Sequence, residues 1–206
     1  SSMGSAGILG DRRGRHDAFF KRAQRENFAA RAVYKLQEID ERYVLFHPGQ
    51  RVLDLGCRPG SWLQYAGQKV GSKGALVGID RQALQVAVKD ARILVGDVFE
   101  ISGAELRGNL SEFDVVLSDM APDTTGIRHV DQARSEGLFE RAVDLAEELL
   151  SPGGSFLGKL FQGPDFQRLR ARLQAGFSEV RVVKPDSSRK ESIELYILAL
   201  RRKAPL

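Results

Sequence analysis

The chain lacks the features that mark secreted, metal-binding and membrane proteins. Cys57 is the single cysteine among 206 residues, so an internal disulfide and a zinc cage of cysteines are excluded. The three histidines have no metal-ligand spacing, and we predict no metal site. No apolar run approaches the roughly 18 residues of a membrane span, and the start of the sequence has no signal-peptide pattern. We therefore expect a cytoplasmic protein without membrane contacts, with a monomer as the default state.

Length and composition favour one globular domain. The chain is 42% hydrophobic and 28% charged, and both values are ordinary for a soluble domain. Ser1 and Ser2 precede Met3 and have the character of an expression scar. Residues 1–14, rich in Gly, Ser and Arg, are predicted to form a flexible basic tail. Residues 15–206 are predicted to form the single domain, including basic N-terminal helices.

Basic residues cluster in the N-terminal part of the chain. The pattern over residues 17–42 is helical, and two segments are expected to meet near residues 27–28. Eight cations and three acids lie in residues 11–35. Such a cluster suits a phosphate backbone, although a solvated helix face is the simpler alternative. The candidate RNA-binding residues are Arg12, Arg13, Arg15, Lys21, Arg22, Arg25 and Arg31.

Short apolar runs alternate with helical stretches after residue 50. This alternation predicts an α/β fold, with a mainly parallel sheet covered by helices on both faces. Only about nine residues, 184–192, separate the last two strands. That is too few for a helical crossover, so these strands are predicted to form an antiparallel hairpin. The predicted strands are Arg51–Leu55, Ala75–Ile79, Arg92–Val95, Phe113–Ser118, Ser155–Lys159, Glu179–Val183 and Ile193–Leu200. The predicted helices are Ser61–Lys69, Gln82–Val88, Asp131–Leu150 and Asp165–Gln174.

Four aspartates lie at the ends of predicted strands. In open α/β sheets, ligands bind outside the carboxyl ends of the strands. Asp80 is placed to accept hydrogen bonds from two ribose hydroxyls, and Asp97 from an adenine amino group. Capping of helices is the structural alternative for such residues. The four aspartates are Asp54, Asp80, Asp97 and Asp119.

The segment DLGCRPGSW at 54–62 leads from the first strand into a helix. Gly56 permits a tight turn, Gly60 permits close approach of the backbone to a ligand, and the free amides of a helix start favour an anion. The dinucleotide fingerprint G-x-G-x-x-G and the triphosphate loop G-x-x-x-x-G-K-[ST] are both missing. An adenosine cofactor with a carboxylate in place of a pyrophosphate fits this pattern, and S-adenosylmethionine is such a molecule.

Two lysines and two carboxylates lie in segments that lead to one pocket. Asp119 ends FDVVLSD, Lys159 ends GGSFLGK and Glu194 opens ELYILAL. Lys35 lies in a helical segment before the first strand. Beside a nucleotide-type site, this set indicates group transfer onto a hydroxyl. The structural alternative is a pair of salt bridges, Lys35–Glu194 and Asp119–Lys159.

Across residues 17–200, the chain resembles the FtsJ family of S-adenosylmethionine-dependent RNA ribose 2′-O-methyltransferases. The segments that carry the resemblance are YKLQEID at 34–40, DLGCRPGSW at 54–62, LSDMAPDTTG at 117–126, GGSFLGKLFQG at 153–163 and KPDSSRKES at 184–192. It implies a Rossmann-like, seven-stranded methyltransferase sheet, mostly parallel with a C-terminal antiparallel hairpin. The cofactor-binding residues it implies are Asp54, Gly56, Cys57, Pro59, Gly60, Ser61, Trp62, Asp80, Asp97 and Asp119.

The resemblance also implies a catalytic set of Lys35, Asp119, Lys159 and Glu194. A ribose hydroxyl is a poor acid, so a base must take its proton during attack. We expect Lys159 to be that base, with its pKa lowered by Lys35 and by burial. Lys35 would orient or stabilise the oxyanion, Asp119 would orient the amine, and Glu194 is expected to matter least.

Three residues depart from the family pattern. Arg58 and Ser61 stand in the glycine turn where relatives have small residues and a second glycine, and Asp123 replaces an asparagine. Arg58 and Ser61 are expected to affect cofactor contacts or RNA reach, whereas Asp123 adds negative charge beside the pocket. Trp62 is expected to pack in the core behind the loop, in preference to stacking on a base.

A 2′-hydroxyl target implies an RNA substrate, since DNA lacks this group. The segment SDMAP at 118–122 has no aromatic residue to stack a planar amide or base, which disfavours methylation of such groups. The resemblance favours an A-loop uridine of large-subunit ribosomal RNA, in the large subunit or its assembly intermediate. The alternatives are a ribose methyltransferase for the tRNA anticodon loop and a non-catalytic RNA-binding ribosome assembly factor.

Overall fold

One long helix, α1, opens the fold and spans Ala6–Tyr43. The computed structural model describes residues 6–188 and 192–205, with side chains from Arg12 onward. The helix is continuous where two segments were predicted to meet, because residues 15–47 contain neither proline nor glycine to break it. Residues 6–14 form its first turns, and residues 1–5 lie outside the described part of the chain. The predicted mobility of the tail stays a prediction.

Seven strands and four shorter helices follow α1. The strands are β1 Arg51–Leu55, β2 Ala75–Asp80, β3 Ala91–Val95, β4 Phe113–Ser118, β5 Leu150–Phe161, β6 Phe177–Val183 and β7 Glu194–Arg202. The helices are α2 Ser61–Val70, α3 Gly103–Arg107, α4 Arg128–Leu149 and α5 Phe166–Gly176.

The strands form one sheet in the order β3-β2-β1-β4-β5-β7-β6. The pairs from β3 to β5 are parallel, whereas β7 runs antiparallel to both β5 and β6. This confirms the mostly parallel sheet and the C-terminal antiparallel hairpin. Leu55 pairs with Ser118 at the carboxyl ends of β1 and β4, where the order of strands reverses. Gly56 and Asp119 therefore leave adjacent strands at the switch point where α/β sheets bind ligands.

Hydrophobic clusters cover both faces of the sheet. One cluster contains Leu106, Phe139 and Leu169, which lie on α3, α4 and α5. The other contains Leu36 of α1 and Leu63 of α2. The predicted two-sided covering is thus confirmed.

The C-terminal half of α1 alone packs against the domain. Every side chain from Arg12 to Phe28 is exposed, and burial begins at Ala29 and continues at Leu36 and Ile39. The N-terminal half consequently presents its charged residues to solvent. Its packed half fixes the direction in which the helix leaves the domain.

The predicted helix Gln82–Val88 is wrong, since these described residues have no helical structure. The amides of Gln85 and Val86 both donate to the carbonyl of Pro59, at 3.0 and 3.1 Å. The side chain of Gln64 donates to the carbonyl of Ala87 at 2.7 Å. These tertiary partners satisfy backbone groups that a helix would otherwise pair internally.

Helix α3 was not predicted, although its start has a recognisable signal. Ser102 accepts a hydrogen bond from the Glu105 amide at 3.1 Å, and its hydroxyl lies 3.4 Å from the Glu105 carboxylate. This is the S-x-x-E pattern of a capping box. The helix has only five residues, too short for apolar periodicity to reveal it.

A buried carboxylate closes the C-terminal end of α1. Asp40 is 6% exposed and accepts the amides of Leu45 and Phe46 at 2.8 and 3.0 Å. Its other oxygen accepts the hydroxyl of Tyr65, on α2, at 2.7 Å. Val44, which lies between Asp40 and Leu45 in the sequence, takes a left-handed conformation with φ of 52°. Asp40 therefore stabilises both the sharp exit from α1 and its packing on α2.

Substitution of Asp40 by alanine is predicted to lower the free energy of unfolding by about 3 kcal/mol, because it leaves buried donors without an acceptor. Denaturant titration of the purified protein measures this. The matched control is Glu41→Ala, an exposed acid on the same helix, with an expected change within about 0.5 kcal/mol. Equal effects of the two substitutions would contradict the assignment.

Candidate active site

The four predicted catalytic residues line one cleft of about 880 Å³. Asp119 follows β4, Lys159 lies near the end of β5, Glu194 begins β7, and Lys35 comes from the packed half of α1. Phe161 pairs with Glu194 across the antiparallel β5–β7 contact. The topology therefore brings together residues that are up to 159 positions apart in sequence.

Register explains why Lys159 and Glu194 reach the same cleft. Lys159 pairs with Tyr196, and directly opposed residues of antiparallel strands point to one face of the sheet. Glu194 is two positions before Tyr196, so it shares that face. A shift of one residue in this register would move Lys159 to the other side of the sheet.

Two ion pairs organise the cleft. The Lys159 ammonium lies 3.2 Å from Oδ1 of Asp119, with the lysine side chain 10% exposed. The Lys35 ammonium lies 3.4 Å from Oε2 of Glu194, and both of those side chains are about one quarter exposed. The two salt bridges named as the structural alternative are therefore present. They also constitute the predicted set, so their presence does not decide between the two interpretations.

The pKa of Lys159 shifts opposite to our expectation. Burial acts to lower it, but the charges of Asp119 and Glu194 and the hydrogen bond to Asp119 outweigh burial, and the pKa is raised above the ordinary lysine value. The expected lowering by Lys35 was wrong because each lysine has a carboxylate partner. Lys159 is therefore an ammonium in the ligand-free site at neutral pH.

Tyr196 belongs to this site and was missed in the sequence. Its side chain is 1% exposed, and its hydroxyl donates to Oδ1 of Asp119 at 2.7 Å. One oxygen of Asp119 thus accepts the hydrogen bond from Tyr196 and forms the ion pair with Lys159. The signal was the i, i+2 spacing from Glu194, which puts a strand tyrosine on the same face.

A second cleft, of about 520 Å³, lies at the carboxyl ends of β1 to β4. Of the predicted cofactor residues, Gly56, Asp80, Asp97 and Asp119 line it. Asp119 and Phe28 line both clefts. The two spaces therefore meet at the Asp119 carboxylate, which suits a donor on one side and an acceptor on the other.

Asp80 and Asp97 each hold local backbone amides. Asp80 accepts the amides of Arg58 and Gln82, both at 3.0 Å, and Asp97 accepts the amide of Phe99 at 2.9 Å. These amides belong to turns and loops, so neither aspartate caps a helix, the structural alternative considered for them. A carboxylate has about four acceptor positions, so both residues keep capacity for ribose or adenine donors.

Asp54 lies buried beneath this cleft. It is 1% exposed, and Oδ1 has no hydrogen-bond partner within residues 6–188 and 192–205. Burial, together with repulsion from Asp119 and Asp80, raises the pKa of its carboxyl well above the usual value. An unpaired buried carboxylate beside other acids favours a ligand that carries positive charge. S-adenosylmethionine, with a sulfonium and an ammonium, meets that requirement.

The other residues of the glycine turn lie behind the cleft wall. Cys57, Pro59, Gly60 and Ser61 are buried, and none of them lines the cleft. A Cβ at Gly60, whose φ is 113°, would lie 3.0 Å from the Val86 side chain. The glycine is thus required by backbone conformation and by its neighbour. Direct contacts from these residues to a cofactor stay a prediction.

Trp62 packs in the core, as expected. It is 3% exposed, and its indole N–H donates to the carbonyl of Ala32 at 2.9 Å. Its ring lies 5.9 Å from that of Tyr196, centre to centre. Trp62 consequently connects α2 to α1 and supports the tyrosine that holds Asp119.

Two of the residues that depart from the family pattern line the cleft at the carboxyl ends of β1 to β4. Arg58 and Asp123, both exposed, face this space, whereas Ser61 is buried with an unpaired hydroxyl among the described residues. The pair introduces opposite charges at the cleft entrance. The charged residues of the cleft are Asp80, Asp97, Asp119, Asp123, Arg58 and Arg81.

The predicted RNA-binding residues are all exposed along α1. Lys21, Arg25, Phe28 and Lys35 are spaced by four, three and seven positions, so they lie along one helix face. Arg31 lines the cleft that holds the catalytic candidates. Arg22 is paired with Glu26 at 3.1 Å. A row of cations therefore leads along the helix to Lys35, a suitable path for a phosphate backbone.

The described residues show neither a cluster of metal-ligand side chains nor a helix suited to a membrane. There, no group of three or more His, Cys, Asp or Glu side chains is arranged to hold a metal ion. In the same part of the chain, no helix combines the length and apolar character needed to cross a membrane.

Comparison with known proteins identifies consistent relatives. Residues 28–202 match the model of the FtsJ-like methyltransferase family. A protein of Bdellovibrio bacteriovorus named ribosomal RNA large subunit methyltransferase E is 46% identical over 91% of this chain and 97% of its own. A protein of the same name from Syntrophobacter fumaroxidans is 48% identical over 90% and 95%. A crystal structure from Plasmodium falciparum, assigned as a ribosomal RNA methyltransferase, has a TM-score of 0.74 at 24% identity, covering 84% of this chain and 98% of its own.

Asp54→Asn is predicted to stabilise the ligand-free protein at neutral pH. A raised folded-state pKa means that the ionised carboxylate costs stability as pH rises above the unfolded value of about 3.9. Asparagine does not ionise, so the free energy of unfolding of the variant should exceed that of the unchanged protein by an amount that grows from pH 4.5 to pH 8. Denaturant titration at both pH values measures it. An advantage that is constant or falls with pH would contradict the assigned pKa.

Proposed function

The chain belongs to the FtsJ-like methyltransferase family, and from this premise we propose that it transfers a methyl group from S-adenosylmethionine to a ribose 2′-hydroxyl of large-subunit ribosomal RNA. The observation that carries the proposal is the meeting of two clefts at Asp119. The donor cleft, lined by Gly56, Asp80 and Asp97, is acidic and suits a cationic donor. The acceptor cleft, lined by Lys35 and Lys159, lies at the end of a basic helix. The curated relatives named ribosomal RNA large subunit methyltransferase E support this substrate.

On the donor side, Gly56, Asp80 and Asp97 would hold the nucleoside part of S-adenosylmethionine. Asp54 and Asp119 would offset its positive charges. When bound there, the molecule supplies a methyl group on a positively charged sulfur. The apolar side chains of Ile79, Val98 and Leu138 also line the cleft and suit an adenine ring.

On the acceptor side, Lys159 and Lys35 would face the ribose. The 2′-oxygen would form its bond to the methyl carbon while the methyl–sulfur bond breaks, with the neutral thioether S-adenosylhomocysteine as the leaving group. The proton of the hydroxyl would pass to the neutral amine of Lys159. Lys35, held by Glu194, would donate a hydrogen bond to the oxygen as negative charge develops. Because Asp119 keeps Lys159 protonated at rest, Lys159 must first release its proton to solvent. The reactive fraction of the enzyme then grows as pH rises.

Large-subunit ribosomal RNA is favoured over the anticodon loop of tRNA. The chain is compact, and two residues of the KPDSSRKES segment, Ser187 and Ser192, line the acceptor cleft. Arg189, Lys190 and Glu191 of that segment lie outside the described residues. An A-loop uridine is the proposed nucleotide, and the cytoplasm is the proposed compartment. A role as a non-catalytic assembly factor is disfavoured because all four members of the catalytic set are present.

Incubation with methyl-labelled S-adenosylmethionine tests the proposal against its rivals. Unmodified large ribosomal subunits should take up label at one position, whereas bulk tRNA should not. Lys159→Ala should abolish transfer while cofactor affinity is kept, because the base is lost and the donor cleft is intact. Lys73→Ala, an exposed lysine in a turn, should transfer normally. Label in tRNA alone would favour the rival substrate, and no label in either RNA would contradict the proposal.

The pH dependence of turnover tests the role of Lys159. Glu194 is one of the carboxylates that raise the pKa of Lys159, so Glu194→Gln should lower it. The neutral amine then forms at lower pH, and the rising limb of kcat should move to lower pH in the variant.

Single-turnover rates between pH 6.5 and 10 measure that limb. Glu41→Gln is the control, because Glu41 is an exposed acid that does not line the acceptor cleft. A limb that stays in place, or moves to higher pH, would show that the titrating group is not Lys159.

A further inference from the structure

We propose that the side chain of Phe28 is a stacking platform for an unpaired base of the RNA substrate. The inference rests on the proposed function and adds to it a binding site for a nucleobase. The base would lie against the ring while its ribose enters the acceptor cleft beside Asp119 and Lys159. Phe28 is thus a positioning residue, and the basic residues of α1 hold the phosphates around it.

The first observation is that Phe28 is exposed at the point where α1 begins to pack. Its side chain is 51% exposed, whereas Ala29, the next residue, is 6% exposed. Exposure of half a phenyl ring leaves apolar surface in water that a stacked base would cover.

The second observation is its position between the two clefts. Phe28 and Asp119 are the two residues that line both the donor cleft and the acceptor cleft among the described residues. A flat ligand on the ring would therefore lie at the border where the methyl donor and the ribose must meet. Methyl transfer requires an in-line approach, so a base fixed at that border would restrict the ribose to few orientations.

The third observation is the charge around the ring. Lys21, Arg25 and Arg58 line a hollow together with Phe28, and Arg31 lines the acceptor cleft beside it. An exposed aromatic ring among cations matches single-stranded RNA, in which every base has a face for stacking and every phosphate a negative charge. An apolar protein partner would gain nothing from these four cations.

Other aromatic residues fit this role less well. Trp62 is buried and its indole N–H is occupied. Tyr34 lines the acceptor cleft and Phe99 the donor cleft, but neither lines both. Phe19 is 74% exposed on α1 and lines neither of the two clefts. Phe28 is therefore the aromatic side chain in position to contact a base next to the reacting ribose.

Steady-state kinetics with unmodified large ribosomal subunits test the proposal. Phe28→Leu keeps apolar bulk and removes the aromatic face, so kcat/KM for the RNA should fall on the order of 10-fold or more. Phe28→Trp keeps an aromatic face, so its kcat/KM for the RNA should stay close to that of the unchanged protein. The dissociation constant of S-adenosylmethionine and the thermal unfolding midpoint should stay unchanged, because the ring is exposed. Phe19→Leu is the matched control and should have the kinetics of the unchanged protein.

Fluorescence provides a readout that does not need methyl transfer. The chain has one tryptophan, the buried Trp62, so Phe28→Trp adds a solvent-exposed reporter. Unmodified large-subunit ribosomal RNA, added without donor, should quench it by stacking and should not quench Phe19→Trp to the same extent. Quenching without methyl transfer to any RNA would keep the platform and contradict the proposed function.

Three results would overturn the platform. The first is an unchanged kcat/KM for Phe28→Leu. The second is a loss that Phe28→Trp does not restore, which would indicate a steric role. The third is a loss of affinity for S-adenosylmethionine in Phe28→Leu that is as large as its loss of kcat/KM for the RNA. That result would assign the ring to the donor cleft.

Discussion

The geometry of the site depends on two contacts of Asp119 Oδ1, an ion pair with the ammonium of Lys159 at 3.2 Å and a hydrogen bond accepted from the hydroxyl of Tyr196 at 2.7 Å. The three residues come from the end of β4, from β5 and from β7, so one oxygen connects three neighbouring strands. It also lies where the donor and acceptor clefts meet. The position of the amine relative to the donor is therefore set by the sheet, and rigid strands hold it better than loops would.

The same carboxylate influences the charge of two buried groups. It raises the pKa of Lys159 by attraction and the pKa of Asp54 by repulsion. Ionisation of Asp54 thus needs a cation nearby, and a neutral Lys159 needs the loss of a proton. Both needs are met when a positively charged donor binds, because added positive charge favours an ionised Asp54 and a neutral Lys159. On the proposed mechanism, donor binding and activation of Lys159 would therefore be coupled.

Much of the site could be predicted because parallel strands place their carboxyl ends at one edge. The positions of Asp80, Asp97 and Asp119 follow from that rule, and Glu194 follows from the hairpin. The absence of a helix over Gln82–Val88 could not be predicted, since the amides of Gln85 and Val86 pair with the carbonyl of Pro59, a residue distant in sequence. The direction of the Lys159 pKa shift could not be predicted either. It depends on which charges act on the amine in the folded protein, and the chain order does not show that these are Asp119 and Glu194.

The most direct test of the account is the identity of the methylated nucleoside. Unmodified large ribosomal subunits are treated with the protein and S-adenosylmethionine, and the RNA is digested to nucleosides and analysed by mass spectrometry. The account predicts one new nucleoside with the added methyl on its ribose, and none with Lys159→Ala. A methyl group on a base, or a ribose product that persists in Lys159→Ala, would contradict a site built on Asp119 and Lys159.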